Sequence, residues 1–199
     1  MRVSPRLIVA LITAAASVVF ATTLARAVWY APDIEMASST LAAAAPARQA
    51  EPGDLPERLR IPALGIDAHV KQVGINEAGN MATPGNFTDA GWYKYGTVPG
   101  FEGSAVMDGH VDNALALDGV FKHLGDLAPG DEIYVDTASS TPLRFVVVRV
   151  ESYAAAEVPL DELFNKKGGA YLHLVTCDGA WIKDKKEYDR RLVVYAELR

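Results

Sequence analysis

From about Glu57 to the end, the chain is a succession of short apolar runs broken by Gly, Pro, Asn and Asp. Runs of this kind, rich in β-branched and aromatic residues, predict strands joined by turns. The predicted strands cover 58–61, 68–73, 90–93, 104–108, 132–136, 143–151, 171–176 and 192–198. The stretch Leu143-Arg144-Phe145-Val146-Val147-Val148-Arg149-Val150 is too apolar on both faces for an exposed edge, which predicts a strand inside a sheet. Helices are predicted only briefly, over 119–124, ending at Gly125, and over 160–165, following Pro159. Many short strands with few helices predict an all-β domain, a closed or nearly closed β-barrel.

The N-terminus has a different pattern. Arg2 and Arg6 precede a run from Leu7 to Ala25 without a charged residue, closed by Arg26. That is close to the ~20 residues a helix needs to cross a bilayer. The run predicts a single-pass transmembrane helix kept as an anchor. The competing reading is a cleaved signal peptide. Its apolar core is shorter, ~7–15 residues, although Ala25-Arg26-Ala27 has the small-x-small form of a cleavage site. Arg2 and Arg6 stay on the cytoplasmic side and the body is outside, with Trp29 and Tyr30 at the membrane interface. From Ala31 to Pro56 the chain is rich in Ala, Pro and Ser and reads as a flexible linker. The predicted organisation is therefore 1–30 anchor, 31–56 linker and 57–199 folded domain, held at the cell membrane with the domain extracytoplasmic.

Composition narrows the function. With 199 residues, half of them hydrophobic, the chain is not a disordered one. A net charge of −6 argues against a nucleic-acid partner. The single cysteine excludes an internal disulfide and any CxxC metal or redox motif. The acidic residues at 131–136 and 157–162 lack the Asp-x-Asp-x-Asp-Gly pattern of a calcium loop and read as a solvated face, so no metal is predicted. Lys183-Asp184-Lys185-Lys186 reads as a solvated loop.

Candidate chemistry gathers around that cysteine. Cys177 closes the predicted strand 171–176 and is followed by Asp178-Gly179, which places a thiol where a rigid strand opens into a loop. Thiolate is the reactive form and needs a cationic or hydrogen-bonding neighbour; an inert, buried thiol is the alternative. His110, in Asp108-Gly109-His110-Val111-Asp112, follows another predicted strand and offers a proton shuttle. His69 and His123 fit structural or surface roles better. His173 shares the strand of Cys177 and, by alternation, its face, so it could line the site. Arg190 and Arg191 precede the last predicted strand, where a guanidinium could stabilise an oxyanion. A solvated basic pair is the alternative.

Together these residues resemble the sortases, in order and in spacing: His in Gly109-His110-Val111-Asp112, Cys in Leu174-Val175-Thr176-Cys177-Asp178-Gly179, and Arg just before a β-branched C-terminal strand. The resemblance covers about 57–199. Arg60-Ile61-Pro62-Ala63-Leu64-Gly65-Ile66-Asp67, Gly91-Trp92-Tyr93, Gly103-Ser104-Ala105-Val106 and the run from Phe121 to Asp131 look most like class F sortases. The resemblance implies a closed eight-stranded β-barrel with Cys177, His110 and Arg191 as the catalytic set and Arg190 as the alternate to Arg191. It implies cleavage of a Leu-Pro-x-Thr-Gly-like sorting signal between Thr and Gly, and a thioester acyl-enzyme. Transfer to a cell-wall amine follows, with slow hydrolysis as a side activity and no cofactor. The other readings are a thiol hydrolase on the same scaffold and a non-enzymatic anchored β-domain.

Two positions depart from the family pattern. His173 stands where the motif before the cysteine commonly begins with Thr, which leaves substrate contacts there open; Thr176 is a candidate wall residue. Asp108 stands where a small or apolar residue is more usual, and would raise the His110 pKa if it pointed inward. The segment 158–169 corresponds to the loop that often shapes the substrate groove.

Overall fold

The computed structural model describes residues 5–29, 51–138 and 141–199, with the side chains of the first segment described for 12–25. Most of the predicted linker lies outside the described residues, as do the side chains of Arg2, Arg6, Trp29 and Tyr30. The first segment is one helix, α1, Pro5–Trp29. Among the described residues, no helix is long and apolar enough to cross a membrane.

Eight strands follow: β1 Pro56–Ile61, β2 Ile66–Val73, β3 Ala90–Tyr93, β4 Gly103–Asp108, β5 Glu132–Thr137, β6 Leu143–Ala154, β7 Ala170–Ile182 and β8 Glu187–Leu198. They close into a barrel in the order β1-β2-β3-β4-β7-β8-β6-β5. The pairs β2–β3 and β4–β7 are parallel and the rest antiparallel. Parallel neighbours cannot be joined by a tight turn, so long crossovers bridge them and build the surroundings of the site.

Alternation along the strands sorts side chains into two apolar layers. Leu59 and Ile61, Trp92, Ala105 and Met107, Ile133 and Val135, Phe145 and Val147, Leu172 and Leu174, Val194 and Ala196 fill the barrel interior. The opposite faces of β4, β7 and β8 carry Val106, Val175, Val193 and Tyr195. These pack under Leu163 and Phe164 of the short helix α2, Leu160–Asn165. Cys177 borders this second layer. The domain therefore has an outer apolar face beside the barrel, and the site sits at its edge.

Three local expectations are corrected. Cys177 does not end its strand: β7 runs on to Ile182 and pairs with β8 as a ribbon, interrupted by a register shift between Asp178 and Trp181. Arg190 and Arg191 lie within β8, which starts at Glu187. Asp178, Gly179, Glu187, Asp189 and Arg190 of this ribbon are poor strand formers, and backbone pairing across a hairpin carries them where propensity does not. The segment 119–124 is not helical; a single 3-10 turn covers Leu124–Asp126 instead. Its backbone bonds go to the His110 loop, with the Gly119 N–H donating to Val111 O (2.9 Å) and the Phe121 N–H to His110 O (3.0 Å).

Candidate active site

Strand register assembles the site. In the parallel β4–β7 pair Asp108 stands opposite Val175, and in the antiparallel β7–β8 pair Cys177 stands opposite Arg191. β4 ends at Asp108, and the chain runs on through Gly109 to His110 while still bonded to β7 at Val175 and Thr176. Residues far apart in sequence are thus brought onto neighbouring strands, whose spacing is about 5 Å: Cys177 stands opposite Arg191, and His110 follows the end of β4 on the other side of β7.

Each member is held from behind. Gly109 is pinned to β7 on both sides: its N–H donates to Val175 O (3.2 Å) and its carbonyl accepts from Thr176 Oγ1 (2.8 Å). His110 is buried, and its Nε2–H donates to the carbonyl of Pro84 at 2.9 Å. That bond sets the ring plane and directs proton exchange to Nδ1. Arg191 is wholly buried, and its Nη1 donates to Tyr188 O (2.7 Å) and Arg190 O (2.9 Å). Two carbonyls fix the fork where it faces the cysteine. Arg190 points elsewhere: its Nε and Nη2 bond Ser152 Oγ (2.8 Å) and Ser152 O (2.7 Å) on β6.

The electrostatics of the thiol are mixed. Cys177 is only partly buried, yet desolvation pushes it up to about 11. The Arg191 charge pulls it down, while Asp112, Asp108 and Glu187 push it further up. The resting thiol is therefore neutral at pH 7, and a base must take its proton before it can attack.

Thr176 and His173 stand behind the site rather than on its wall. Thr176 is 2% exposed and occupied by the Gly109 carbonyl, and His173 is 0% exposed beneath α2. Alternation did place His173 on the face of Cys177, but that face is covered by α2 along this stretch. Asp108 is buried and lies on the Gly91 backbone: a Cβ on Gly91 would sit 2.4 Å from Asp108 Oδ1.

Sequence reasoning did not single out Pro84, Gly119 or Tyr188. Tyr188 donates its hydroxyl to Asp112 Oδ2, tying the loop after His110 to the β7–β8 ribbon. That bond and burial together raise the tyrosine well above its ordinary pKa, so it remains a donor. Asp112 was visible in Gly-His-Val-Asp; its partner, 76 residues away, had no local signal.

Comparison with known proteins agrees with this fold. A sortase domain model matches residues 59–199. Solved structures share the fold. Sortase C2 of pilus island 1 from Group B Streptococcus is 21% identical over 71% of this chain and 72% of that one, with a TM-score of 0.55. Sortase C-1 from Streptococcus pneumoniae is 22% identical over 72% and 66%, with a TM-score of 0.57. Sortase C from Clostridium perfringens SM101 is 20% identical over 75% and 72%, with a TM-score of 0.54. At these identities the likeness is one of fold. No curated protein matches the chain in sequence. With its family model matching residues 59–199, nearly all of the barrel, the chain belongs to the sortase family, whose members are in general cysteine transpeptidases.

Proposed function

We propose that this chain is an extracytoplasmic sorting transpeptidase of the class F type, held at the membrane by the uncharged N-terminal run 7–25 read from the sequence, and that Cys177, His110 and Arg191 carry its reaction. The observation that bears most weight is the pairing of Cys177 with Arg191 across β7 and β8, with His110 following the end of the neighbouring strand β4.

The chemistry follows from the positions. His110 takes the Cys177 proton, and the thiolate attacks the Thr carbonyl of a Leu-Pro-x-Thr-Gly-like signal. The C–S bond forms as the carbonyl π electrons move onto oxygen, and the Arg191 charge stabilises that oxyanion. Collapse breaks the Thr–Gly C–N bond, and His110 returns its proton to the departing amine. A cell-wall amine then attacks the thioester, His110 removes its proton, and Cys177 leaves as thiol with a new amide formed. Water in place of the amine gives slow hydrolysis.

The test uses the full chain in detergent micelles with a Leu-Pro-x-Thr-Gly peptide library and an amine, read by mass spectrometry beside Cys177→Ala. A Thr thioester on Cys177 and an amine-dependent product, both missing in the variant, support the reading. Cleavage that ignores the amine would assign a thiol hydrolase instead. A Cys177 that takes neither peptide nor alkylating reagent would make the barrel a non-enzymatic domain.

A further inference from the structure

Beneath α2, an aromatic row crosses from β8 to β7. The Tyr195 ring meets His173 edge-on at 4.9 Å, and His173 stacks with Tyr171 at 6.3 Å. A cation covers each end: the Arg149 guanidinium lies 3.8 Å over Tyr195, and the Lys166 ammonium 4.0 Å over Tyr171. One turn of the α2 segment reaches all three rings. Glu162 pairs with Arg149 at 2.6 Å, the Leu163 carbonyl accepts from His173 Nδ1–H at 2.8 Å, and Lys166 covers Tyr171.

The central bond has a specific physical reason. The last four carbonyls of a helix have no intrahelical partner, and in a helix of six residues Leu163 is among them. His173 supplies the missing donor from the sheet below. The same tautomer leaves Nε2 as an acceptor, buried and without a hydrogen-bond partner. A plain core residue would avoid that cost. Histidine is thus a poor choice for packing alone and a good one for fastening α2.

We propose that His173 is a positioning residue that latches α2 to the barrel wall, so that the side of the substrate groove formed by 158–169 is fixed before substrate arrives. This rests on the reading of that segment as the groove wall of a sorting enzyme. Substrate binding then does not have to order the wall, and the latch acts on KM more than on kcat.

The test compares the full chain with His173→Thr, His173→Asn and His173→Gln. Asn places an amide N–H near the position of Nδ1, whereas Gln places it near Nε2. Hydrogen exchange is followed over 158–169, and KM and kcat are measured with the sorting peptide and amine. His173→Thr is expected to speed exchange in 158–169 at least tenfold while β7 and β8 stay protected, and to raise KM several-fold more than it lowers kcat. Asn restores both and Gln neither. Fast exchange of 160–165 in the unaltered chain overturns the proposal, as does unchanged exchange in His173→Thr or an even loss of protection across the barrel. If the Thr variant does not fold, the Asn and Gln pair decides alone. Exchange reads the latch without turnover, so an unreactive chain would count against the proposed function and not against the latch.

Discussion

A methyl group added at Gly119 would stand 2.2 Å from the carbonyl oxygen of His110 and 2.6 Å from its carbonyl carbon. Ordinary contact begins at 3.4 Å, so the two segments must separate by about 1 Å. Neither neighbour can rotate aside, because both are backbone. The loop cannot slide either, since the Gly119 N–H is bonded to Val111 O and an antiparallel bridge joins Asp112 to Asp118. The strain is therefore taken up at His110, which leaves its 2.9 Å bond to Pro84 O. Misplacing a catalytic group by about 1 Å costs on the order of 10²-fold in rate. The assay is thioester formation on Cys177 of the full chain, timed by mass spectrometry, with thermal unfolding measured beside it. Gly119→Ala is expected to acylate about 100-fold more slowly. Gly53→Ala, where an added Cβ meets nothing within 4 Å, serves as the control and acylates normally. A Gly119→Ala chain that acylates at the unaltered rate would refute the claim that this close approach positions His110.

Two further outcomes follow from the same site. Burial and three nearby carboxylates hold the Cys177 thiol neutral well above its usual range, so alkylation of the resting chain should climb about tenfold per pH unit from pH 7 to 9 without a plateau. Asp112→Asn should move the profile to lower pH; a plateau below pH 9 in the unaltered chain contradicts this account. Arg191→Ala should lower acylation by about 10²–10³-fold, as for other oxyanion donors, whereas Arg190→Ala, which loses only bonds to Ser152, should change it by a few-fold. Equal losses in the two variants would remove the distinction between the arginines.

Much of the barrel was legible because its strands are short, β-branched and alternating. All eight predicted runs are strands, and α2 has the predicted bounds, 160–165. The errors cluster where backbone pairing overrides local preference. The polar ends of β7 and β8 pair because a hairpin brings them together, so Cys177 lies inside a strand and Arg191 opposite it. The segment after Gly119 forms turns instead of the predicted helix, tied to the His110 loop through the Gly119 and Phe121 N–H groups.

The sequence by itself determined the alternation that builds two apolar layers, and placed a lone cysteine, a Gly-His turn and a basic pair in a recognisable order. Those features depend on neighbours within a few residues. Tertiary structure alone decided which arginine faces the cysteine, since successive strand residues point to opposite sides and only the register of β8 selects between 190 and 191. It alone turned His173 from a candidate wall residue into a buried fastener, because only the fold brings α2 over that face. It alone showed Pro84, Gly119 and Tyr188 at the site. Their contacts are backbone carbonyls, a close approach and a hydroxyl across distant segments, and none leaves a periodic trace along the chain.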